Sequence, residues 1–308
     1  MKPSDLGIPG AEHVITSTDF LELESLPERV VFIGGGYISF EFAHIAARAG
    51  ARATILHRGE RPLQGFDADM VSGLVDASRE LGIDVRVNTA VTAVEKHSDA
   101  LVVCTDGEAV TADLVVHGAG RVPEIDALDL EAGNVEYSFK KGVAVNEYLQ
   151  SVSNPAVYAA GDAAATEGWP LTPVAVHEGL TVARNILKGN GKTPNYLGTP
   201  AVAFTIPSLS RAGMTEDEAA ARGFKFRVNH KDTSGWYSSR RTNEKHSAYK
   251  VLIEEGTGKI LGAHLLGGHA GEVISMFALA IRHGLTASEV KTSVLVHPAA
   301  SSDISYML

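Results

Sequence analysis

The sequence predicts an α/β fold followed by an α+β domain, and three observations lead to that prediction. Between residues 29 and 87, apolar strands alternate with apolar residues at helical spacing, a pattern typical of βαβ units. Short strands joined by polar or Gly turns then run to residue 119 and predict an antiparallel insert that returns to the sheet. After the stretch KGNGKTPNYLGTP, which is typical of a linker, strands surround two helices.

The first βαβ unit is the clearest element of the sequence. Three residues could cap a short helix that precedes it: Ser17, Thr18 and Asp19. Strand Arg29–Ile33 leads through a glycine turn into a helix at Tyr37–Ala49, and Gly50 ends that helix. The strand ATIL completes the unit.

Later elements are predicted in the same way, from the periodicity of apolar residues and from the residues that typically begin or end helices. Helices are predicted at Asp67–Leu81, from Thr172 to a stop at Gly189, at Thr215–Ala221 and at Glu272–Arg282. Strands are predicted for IDVRV, AVTAVEKH, LVVCT, VVHGA, AVYAA, AVAF, KFRVNH, SAYKVLIEE and KILGAHLLG. The strand AVYAA, just before Gly161, indicates a piece of a second sheet.

The composition argues against several classes of partner and site. Thirty-seven acidic residues against 27 basic ones give a net charge of −10, so no overall basic field favours nucleic acid or an anionic membrane. The single cysteine, Cys104, excludes an intrachain disulfide and Cys-rich metal sites, and it is best explained as a small apolar residue. The histidines show no metal-binding spacing, so we predict no metal site.

The sequence also predicts where the protein resides. Its start lacks the basic and apolar segments of a secretory signal. The most apolar stretch, Val273–Ile281, is far shorter than the ~20 residues that span a bilayer. Since a single cysteine suits a reducing compartment, we expect a soluble cytoplasmic protein.

The strongest local signal for function is the segment VVFIGGGYISFEFAHIAARAG. Gly34 and Gly36 occupy the first two positions of GxGxxG between a strand and a helix, and Ser39 stands at the third. The first glycine permits a tight turn, the second lets a pyrophosphate approach the backbone, and the helix N-terminus supplies N–H groups. The pattern predicts a Rossmann-like dinucleotide site. A plain βαβ turn is the alternative, because Ser39 departs from the motif.

The end of the second strand carries His57 and Arg58, ~20 residues beyond the glycines. A carboxylate there would accept the ribose hydroxyls of NAD, whereas a cation would hold the 2'-phosphate of NADP. Arg58 can form charge-assisted bonds with phosphate, and Arg61 adds to the positive field. We therefore predict that NADP is preferred over NAD. A solvated basic turn, partly neutralised by Glu60, is the alternative.

Five motifs extend the functional signal over nearly the whole chain. They are GGGYISFE, HGAGRVPE from His117 to Glu124, VYAAGDAAA from Val157 to Ala165, LTPVA from Leu171 to Ala175, and HPAASSD from His297 to Asp303. In this order they resemble the FAD-dependent pyridine nucleotide-disulfide oxidoreductases, the family of glutathione reductase, dihydrolipoamide dehydrogenase and mercuric reductase. Because five ordered motifs match, the resemblance is more specific than a lone GxGxxG.

The resemblance implies a flavin-facing group of residues. Gly161 and Asp162 would meet the ribityl chain of FAD, where a carboxylate suits hydroxyl donors. The residues that would lie against the isoalloxazine ring are Thr172, Pro173, Val174 and Ala175.

The resemblance also implies residues around the nicotinamide. Tyr37, followed by Ile38, would cover the nicotinamide pocket, and Gly120 and Arg121 would line the dinucleotide cleft. A surface tyrosine and a solvated arginine are the alternatives. Glu41 would correspond to a helix carboxylate that pairs with a lysine close to the flavin.

Departures from the family pattern limit what the resemblance implies. Family members begin with an FAD-binding unit that has its own GxGxxG, followed in the disulfide reductases by a CxxxxC pair, and this sequence contains neither. The opening KPSDLGIPG resembles the stretch that follows a family ATG motif. We therefore expect the C-terminal portion of such an enzyme, with FAD weakly bound or absent and no thiol-disulfide cycle within the chain. The lysine partner of Glu41 belongs to the missing CxxxxC region, so we expect Glu41 to be an unpaired, strained acid.

The pair His297-Pro298 resembles the family's HP motif, in which a His of one subunit serves the thiol site of the other as acid and base. An acidic partner normally holds that His. Ser302 stands at the register position of the partner, and Asp303 takes it only if one residue is inserted. His297, Asp303 and Glu41 are therefore the catalytic candidates.

These inferences predict four segments: a linker left from the FAD-binding domain (1–24), an NADP-binding domain (25–145), a remnant of the FAD-binding domain (146–196) and a dimerisation domain (197–308). We expect a homodimer, because the helix GEVISMFALAI is apolar on more than one face. In the intact enzyme, NADPH would pass hydride to FAD and electrons to a disulfide or other acceptor. The alternatives are an inactive nucleotide-binding and dimerisation module, or one chain of an assembly whose partner supplies the FAD segment.

Overall fold

The computed structural model of the chain describes residues 1–308 and divides into two compact units. The smaller unit comprises residues 1–5 and 120–199, and the larger unit comprises residues 6–119 and 200–308. No helix is long and apolar enough to cross a membrane.

The elements are numbered along the chain. Up to residue 119 they are β1 (Lys2–Pro3), α1 (Ser17–Leu21), β2 (Arg29–Ile33), α2 (Tyr37–Arg48), β3 (Arg52–Leu56), α3 (Ala68–Glu80), β4 (Asp84–Arg86), β5 (Val91–Lys96), β6 (Leu101–Thr105), β7 (Val110–Ala112) and β8 (Leu114–His117). Residues 120–199 contain β9 (Arg121–Val122), β10 (Tyr137–Ser138), β11 (Gly142–Ala144), β12 (Ala164–Ala165) and α4 (Thr172–Lys188). From residue 200 they are β13 (Pro200–Ala203), β14 (Ser208–Gly213), α5 (Glu216–Ala221), β15 (Phe226–Asp232), α6 (Tyr237–Arg241), β16 (Ala248–Glu254), β17 (Ile260–Gly267), α7 (Ala270–Arg282), α8 (Ala287–Lys291) and α9 (Ile304–Met307).

A four-stranded parallel sheet forms the first part of the larger unit, in the order β4-β3-β2-β8. Residues 30–33 of β2 are buried, as expected for an inner parallel strand that is apolar on both faces. Ile33 lies opposite Leu56 of β3 and His117 of β8. The turns after these three strands therefore open at one edge of the sheet, and the predicted βαβ unit is confirmed.

The β-rich segment that follows β4 is the predicted antiparallel insert. β5, β6 and β7 form a three-stranded antiparallel sheet, and β8 returns to the parallel sheet. Val94 and Val103 of the insert share a core with Val31 and Val115 of the parallel sheet. This shared core holds the insert against the strands that position the glycine turn.

The second part of the larger unit is a five-stranded antiparallel sheet, in the order β13-β14-β17-β16-β15. α7 covers it, and Ile274 and Phe277 of α7 pack with Tyr249 and Val251 of β16. The sequence analysis missed β14, because its segment SLSRAG lacks an apolar run. The strand is nevertheless buried, since partners elsewhere in the chain satisfy its polar side chains; the Ser210 hydroxyl, for example, donates to the carbonyl of Ala270 at 3.0 Å.

The smaller unit contains two small sheets and one long helix. α4 ends at Gly189, as predicted. The predicted strand AVYAA is wrong: residues 156–160 form one isolated bridge, between Gln150 and Tyr158, and no ladder. The segment is apolar, but its backbone partners are confined to the nearby residues 149–151 and Asn154.

The cap of α1 differs from the prediction. Thr16, one residue earlier than the three candidates, accepts the N–H of Asp19 through its hydroxyl, and the Asp19 carboxylate accepts the N–H of Thr16. This reciprocal pair satisfies two N–H groups at once, which a cap at residue 17, 18 or 19 would not do.

Candidate functional site

The glycine turn lies between β2 and α2. Gly34 has φ +109°, and a Cβ there would come within 2.3 Å of the Gly118 carbonyl oxygen, so this position requires glycine. A Cβ on Gly36 would meet only that same oxygen, at 3.6 Å. Gly36 is the N-cap of α2, and no side chain caps this end of the helix. The N-terminus of α2 therefore presents N–H groups and positive potential to an anion.

Ser39 stands where the motif has its third glycine, and the structure shows how its side chain is accommodated. The side chain is fully buried, and its hydroxyl has no hydrogen-bond partner. A Cβ on Gly118, which follows β8, would come within 2.1 Å of the Ser39 hydroxyl oxygen. The extra atoms at position 39 are thus accommodated because residue 118 has no side chain.

His57 lies beneath the glycine turn. A Cβ on Gly35 would come within 2.7 Å of the His57 ring. The ring Nε2–H donates to the Arg61 carbonyl at 3.0 Å. Burial, aided by the positive charge of Arg58, holds the pKa of His57 below its usual value. The lowered pKa favours the neutral imidazole, so His57 supports the turn by packing and hydrogen bonding rather than by charge.

Arg58 is the positively charged residue just after the end of β3. Its side chain is exposed and forms no ion pair. Glu60, in the same turn, is also exposed and does not pair with it. The two side chains form no direct ion pair, and an exposed Arg58 is compatible both with a phosphate site and with a solvated basic turn.

Tyr37 is the first residue of α2, and Ile38 beside it is half-buried. The Tyr37 ring packs edge-on against Phe66, with ring centroids 5.5 Å apart. Its hydroxyl is buried without a hydrogen-bond partner. Burial raises the pKa of Tyr37 to about 12, against the opposing charge of Arg211. A neutral hydroxyl without a partner, next to an uncapped helix end, is suited to a polar ligand.

Glu41 has a partner within the chain, so the expectation of an unpaired acid is wrong. Its Oε1 accepts the backbone N–H of Phe204, just after β13, at 2.8 Å. Burial raises the pKa of Glu41, and this hydrogen bond opposes the rise. A backbone donor 163 residues away leaves no signal in the sequence around Glu41.

Gly120 and Arg121 lie in the smaller unit. Gly120 has φ +114° and accepts the N–H of Ser4 through its carbonyl at 3.1 Å. Arg121 pairs with Pro3 in the β1-β9 ribbon, and its guanidinium donates to the Met1 carbonyl. Arg121 therefore helps to hold the first residues of the chain.

Gly161 and Asp162 line a cavity of about 900 Å³ in the smaller unit. Gly161 has φ +63°, and its N–H donates to Glu178 Oε2 at 2.6 Å. The fully buried Glu178 also accepts the hydroxyls of Thr166 at 2.9 Å and Tyr196 at 2.5 Å. Glu178 thus fixes the turn that presents the half-buried Asp162 carboxylate.

The segment LTPVA forms the start of α4. Thr172 and Pro173 are exposed, Val174 is buried and Ala175 is half-buried. No side chain caps this helix, and proline occupies its first turn. This second uncapped N-terminus also offers N–H groups to an electron-rich ligand atom.

His297 lies in the larger unit, in a cavity of about 470 Å³ that Lys231 and Arg241 also line. Its Nδ1 is 3.4 Å from the Ser302 hydroxyl. The Asp303 carboxylate accepts the hydroxyl of Ser238 instead. Within this chain, Asp303 is therefore not the partner of His297, which corrects that pairing; Ser302, in direct register, takes the position.

The structure gathers the candidates into three groups. Gly34, Gly36, Tyr37 and His57 lie at the start of α2, with Glu41 one turn further along. Gly161, Asp162 and residues 172–175 form a second group, and His297 stands in a third place. Sequence reasoning missed Glu178, Arg211 and Lys250. Only Lys250 gave a signal, as a charged residue among the apolar residues of β16, and the sequence did not show the partners of any of the three.

An uncapped helix after a glycine turn in a parallel sheet defines a dinucleotide-binding α/β protein. Residues 1–179 match the family described as pyridine nucleotide-disulphide oxidoreductase, and residues 199–308 match its dimerisation domain. The chain belongs to this family of FAD- and NAD(P)H-using oxidoreductases, which confirms the resemblance and the fold class.

Relatives and solved structures agree with this assignment. The glutathione reductase of Nostoc sp. is 32% identical over 317 residues, covering 98% of this chain and 68% of the relative. An uncharacterized 19.7 kDa protein in a mercuric resistance operon of Staphylococcus aureus is 51% identical over 181 residues, covering 59% of this chain and all of the relative. The Cu(II) complex of the HOCl-induced flavoprotein disulfide reductase RclA from Escherichia coli matches with a TM-score of 0.91 at 26% identity, covering 99% of this chain and 70% of RclA.

Proposed function

We propose that this chain is the NADPH-binding and dimer-forming part of a flavoprotein oxidoreductase that passes electrons to a disulfide or other acceptor. The observation that carries the proposal is the uncapped N-terminus of α2 at a turn that requires glycine, with the unpaired Arg58 at the end of the neighbouring strand. The four segments given above, 1–24, 25–145, 146–196 and 197–308, are part of this proposal.

The start of α2 would hold the dinucleotide. Its free N–H groups and positive potential suit the pyrophosphate, and Gly36 leaves room for it. Arg58 would bind the 2'-phosphate through charge-assisted hydrogen bonds. The buried Tyr37 hydroxyl would gain a polar partner beside the nicotinamide.

The smaller unit would hold part of the flavin. When bound, FAD accepts a hydride from NADPH and delivers its electrons to the acceptor. Asp162 would accept hydrogen bonds from ribityl hydroxyls, and the start of α4 would donate N–H groups to the ring. Glu178 would keep Asp162 in place by fixing Gly161.

His297 would hold and transfer a proton at the acceptor site. Its imidazole is exposed, and the Ser302 hydroxyl is the group that orients Nδ1. A hydroxyl orients the ring without adding negative charge, so it stabilises the protonated imidazole less than a carboxylate would.

Binding of NADPH to a Gly36→Ala variant tests the position of the nucleotide site. The variant should fold normally, because the new Cβ meets its nearest neighbour at an ordinary 3.6 Å and φ is −97°. It should lose most of its NADPH affinity in calorimetric titration, because the methyl group occupies the space that the pyrophosphate needs. Gly179→Ala on α4, where no heavy atom lies within 4 Å, is the control and should bind normally. Unchanged affinity in a folded Gly36→Ala chain would contradict the proposal.

A further inference from the structure

We infer that Arg211, on β14, is a positioning residue for the dinucleotide site. It acts through residues 62–67, the second part of the connection between β3 and α3, which supports both the glycine turn and Tyr37. The inference rests on the proposed function, because it concerns the same site.

The connection contacts the site at two points. The Leu63 N–H donates to the Gly35 carbonyl at 2.8 Å, and the ring of Phe66 packs edge-on against Tyr37. The Phe66 N–H in turn donates to the Leu63 carbonyl at 2.8 Å. Leu63 is buried with φ +48°, a left-handed conformation that a leucine keeps only when its surroundings hold it. A shift of this connection would therefore move the turn and the tyrosine together.

Arg211 holds the connection from the antiparallel sheet. Its Nη1 donates to the Gly65 carbonyl. Its Nη2 donates to the Gly213 carbonyl at 2.5 Å and to Glu218 Oε2 at 2.8 Å. The side chain is only 6% exposed. A buried, planar guanidinium with donors engaged in several directions is fixed in one geometry, so it fixes Gly65 as well.

Lys250 anchors the end of the same connection. Its Nζ lies 3.0 Å from Asp67 Oδ2, and both side chains are 4% exposed. The other oxygen of Asp67 accepts N–H groups at the start of α3. Lys250 also binds Asp69 at 2.6 Å and Glu216 at 2.5 Å. The connection is thus held on both sides of Phe66, at Gly65 by Arg211 and at Asp67 by Lys250.

NADPH titration of the full chain tests the inference. Arg211→Met should weaken NADPH binding about tenfold, because Phe66 and Leu63 lose their support when the Gly65 carbonyl loses a charged donor. Arg211→Lys should recover part of the loss, since one donor can still reach that carbonyl. Arg29→Met removes another ion-paired arginine, which is partly exposed and paired with Asp113 at the opposite end of β2, and should change the affinity by no more than about twofold. A folded Arg211→Met chain that binds NADPH like the wild type would overturn the inference.

Amide hydrogen exchange of the free chain separates this inference from the proposed function. Arg211→Met should speed exchange at residues 34–40 and 63–66, and Arg29→Met should not. If the wild-type chain binds no NADPH, the proposed function fails, yet the exchange result still decides the role of Arg211. Unchanged exchange at residues 34–40 would overturn that role. If the Met variant does not fold, Arg211→Lys carries both measurements.

Discussion

Glu41 is a half-buried acid that a backbone N–H stabilises. The N–H of Phe204 favours the ionised form, whereas burial disfavours it, and burial is the larger effect on the pKa. Because the pKa is raised in the folded chain, the acid favours folding most when it is protonated. That contribution is complete below the ordinary pKa of a glutamate and is lost as the pH rises through the raised value.

Glu41→Gln should therefore melt at the same temperature as the wild type near pH 4, or slightly below it, and at a higher temperature near pH 7. The glutamine oxygen can still accept the Phe204 N–H, and it carries no charge to desolvate. Thermal melts across this range test the prediction, with the exposed Glu255→Gln as control. A lower melting temperature for Glu41→Gln at neutral pH would mean that the charged carboxylate has a stabilising partner beyond the Phe204 N–H.

At the scale of elements, local patterns predicted β2, α2 and the antiparallel insert, because their buried residues follow strand or helix periodicity. β14 was missed because the stabilisation of its polar residues comes from distant chain segments. The same reason hid Arg211 and Lys250, whose partners at Gly65 and Asp67 lie 146 and 183 residues away. The lowered pKa of His57 likewise depends on burial of its ring under Gly35, which a sequence pattern does not encode.

The prediction about the oligomeric state concerns α7. One face of the helix packs on the antiparallel sheet, while Leu279 remains 59% exposed. Since residues 199–308 match a dimerisation domain, we expect Leu279 to lie in a two-fold interface. Light scattering at micromolar concentration should give a dimer for the wild type and more monomer for Leu279→Asp. Leu128→Asp, at a residue 58% exposed in the smaller unit, should remain dimeric. A monomeric wild-type chain would contradict the prediction.

At the scale of the whole molecule, the chain spans 68% of the Nostoc glutathione reductase and 70% of RclA. The chain itself contains a glycine turn in the larger unit, a cavity lined by Gly161 and Asp162 in the smaller unit, and a histidine beside Ser302. The acceptor, and the reaction of an intact enzyme, therefore remain parts of the proposal. The proposed preference for NADP can be tested on this chain alone, because Arg58 and the glycine turn both belong to it.

The most direct measurement is calorimetric titration of the wild-type chain and Arg58→Glu with NADPH and NADH. The wild type should bind NADPH more tightly by at least about tenfold, because a charge-assisted contact to the 2'-phosphate contributes about 1 to 3 kcal/mol. Arg58→Glu should reverse the order, since a carboxylate repels the phosphate and accepts ribose hydroxyls. Arg184→Glu, which changes an exposed arginine of α4 that forms no ion pair, should leave the order unchanged. Equal affinities of the wild type for the two nucleotides, or tighter binding of NADH, would contradict the account.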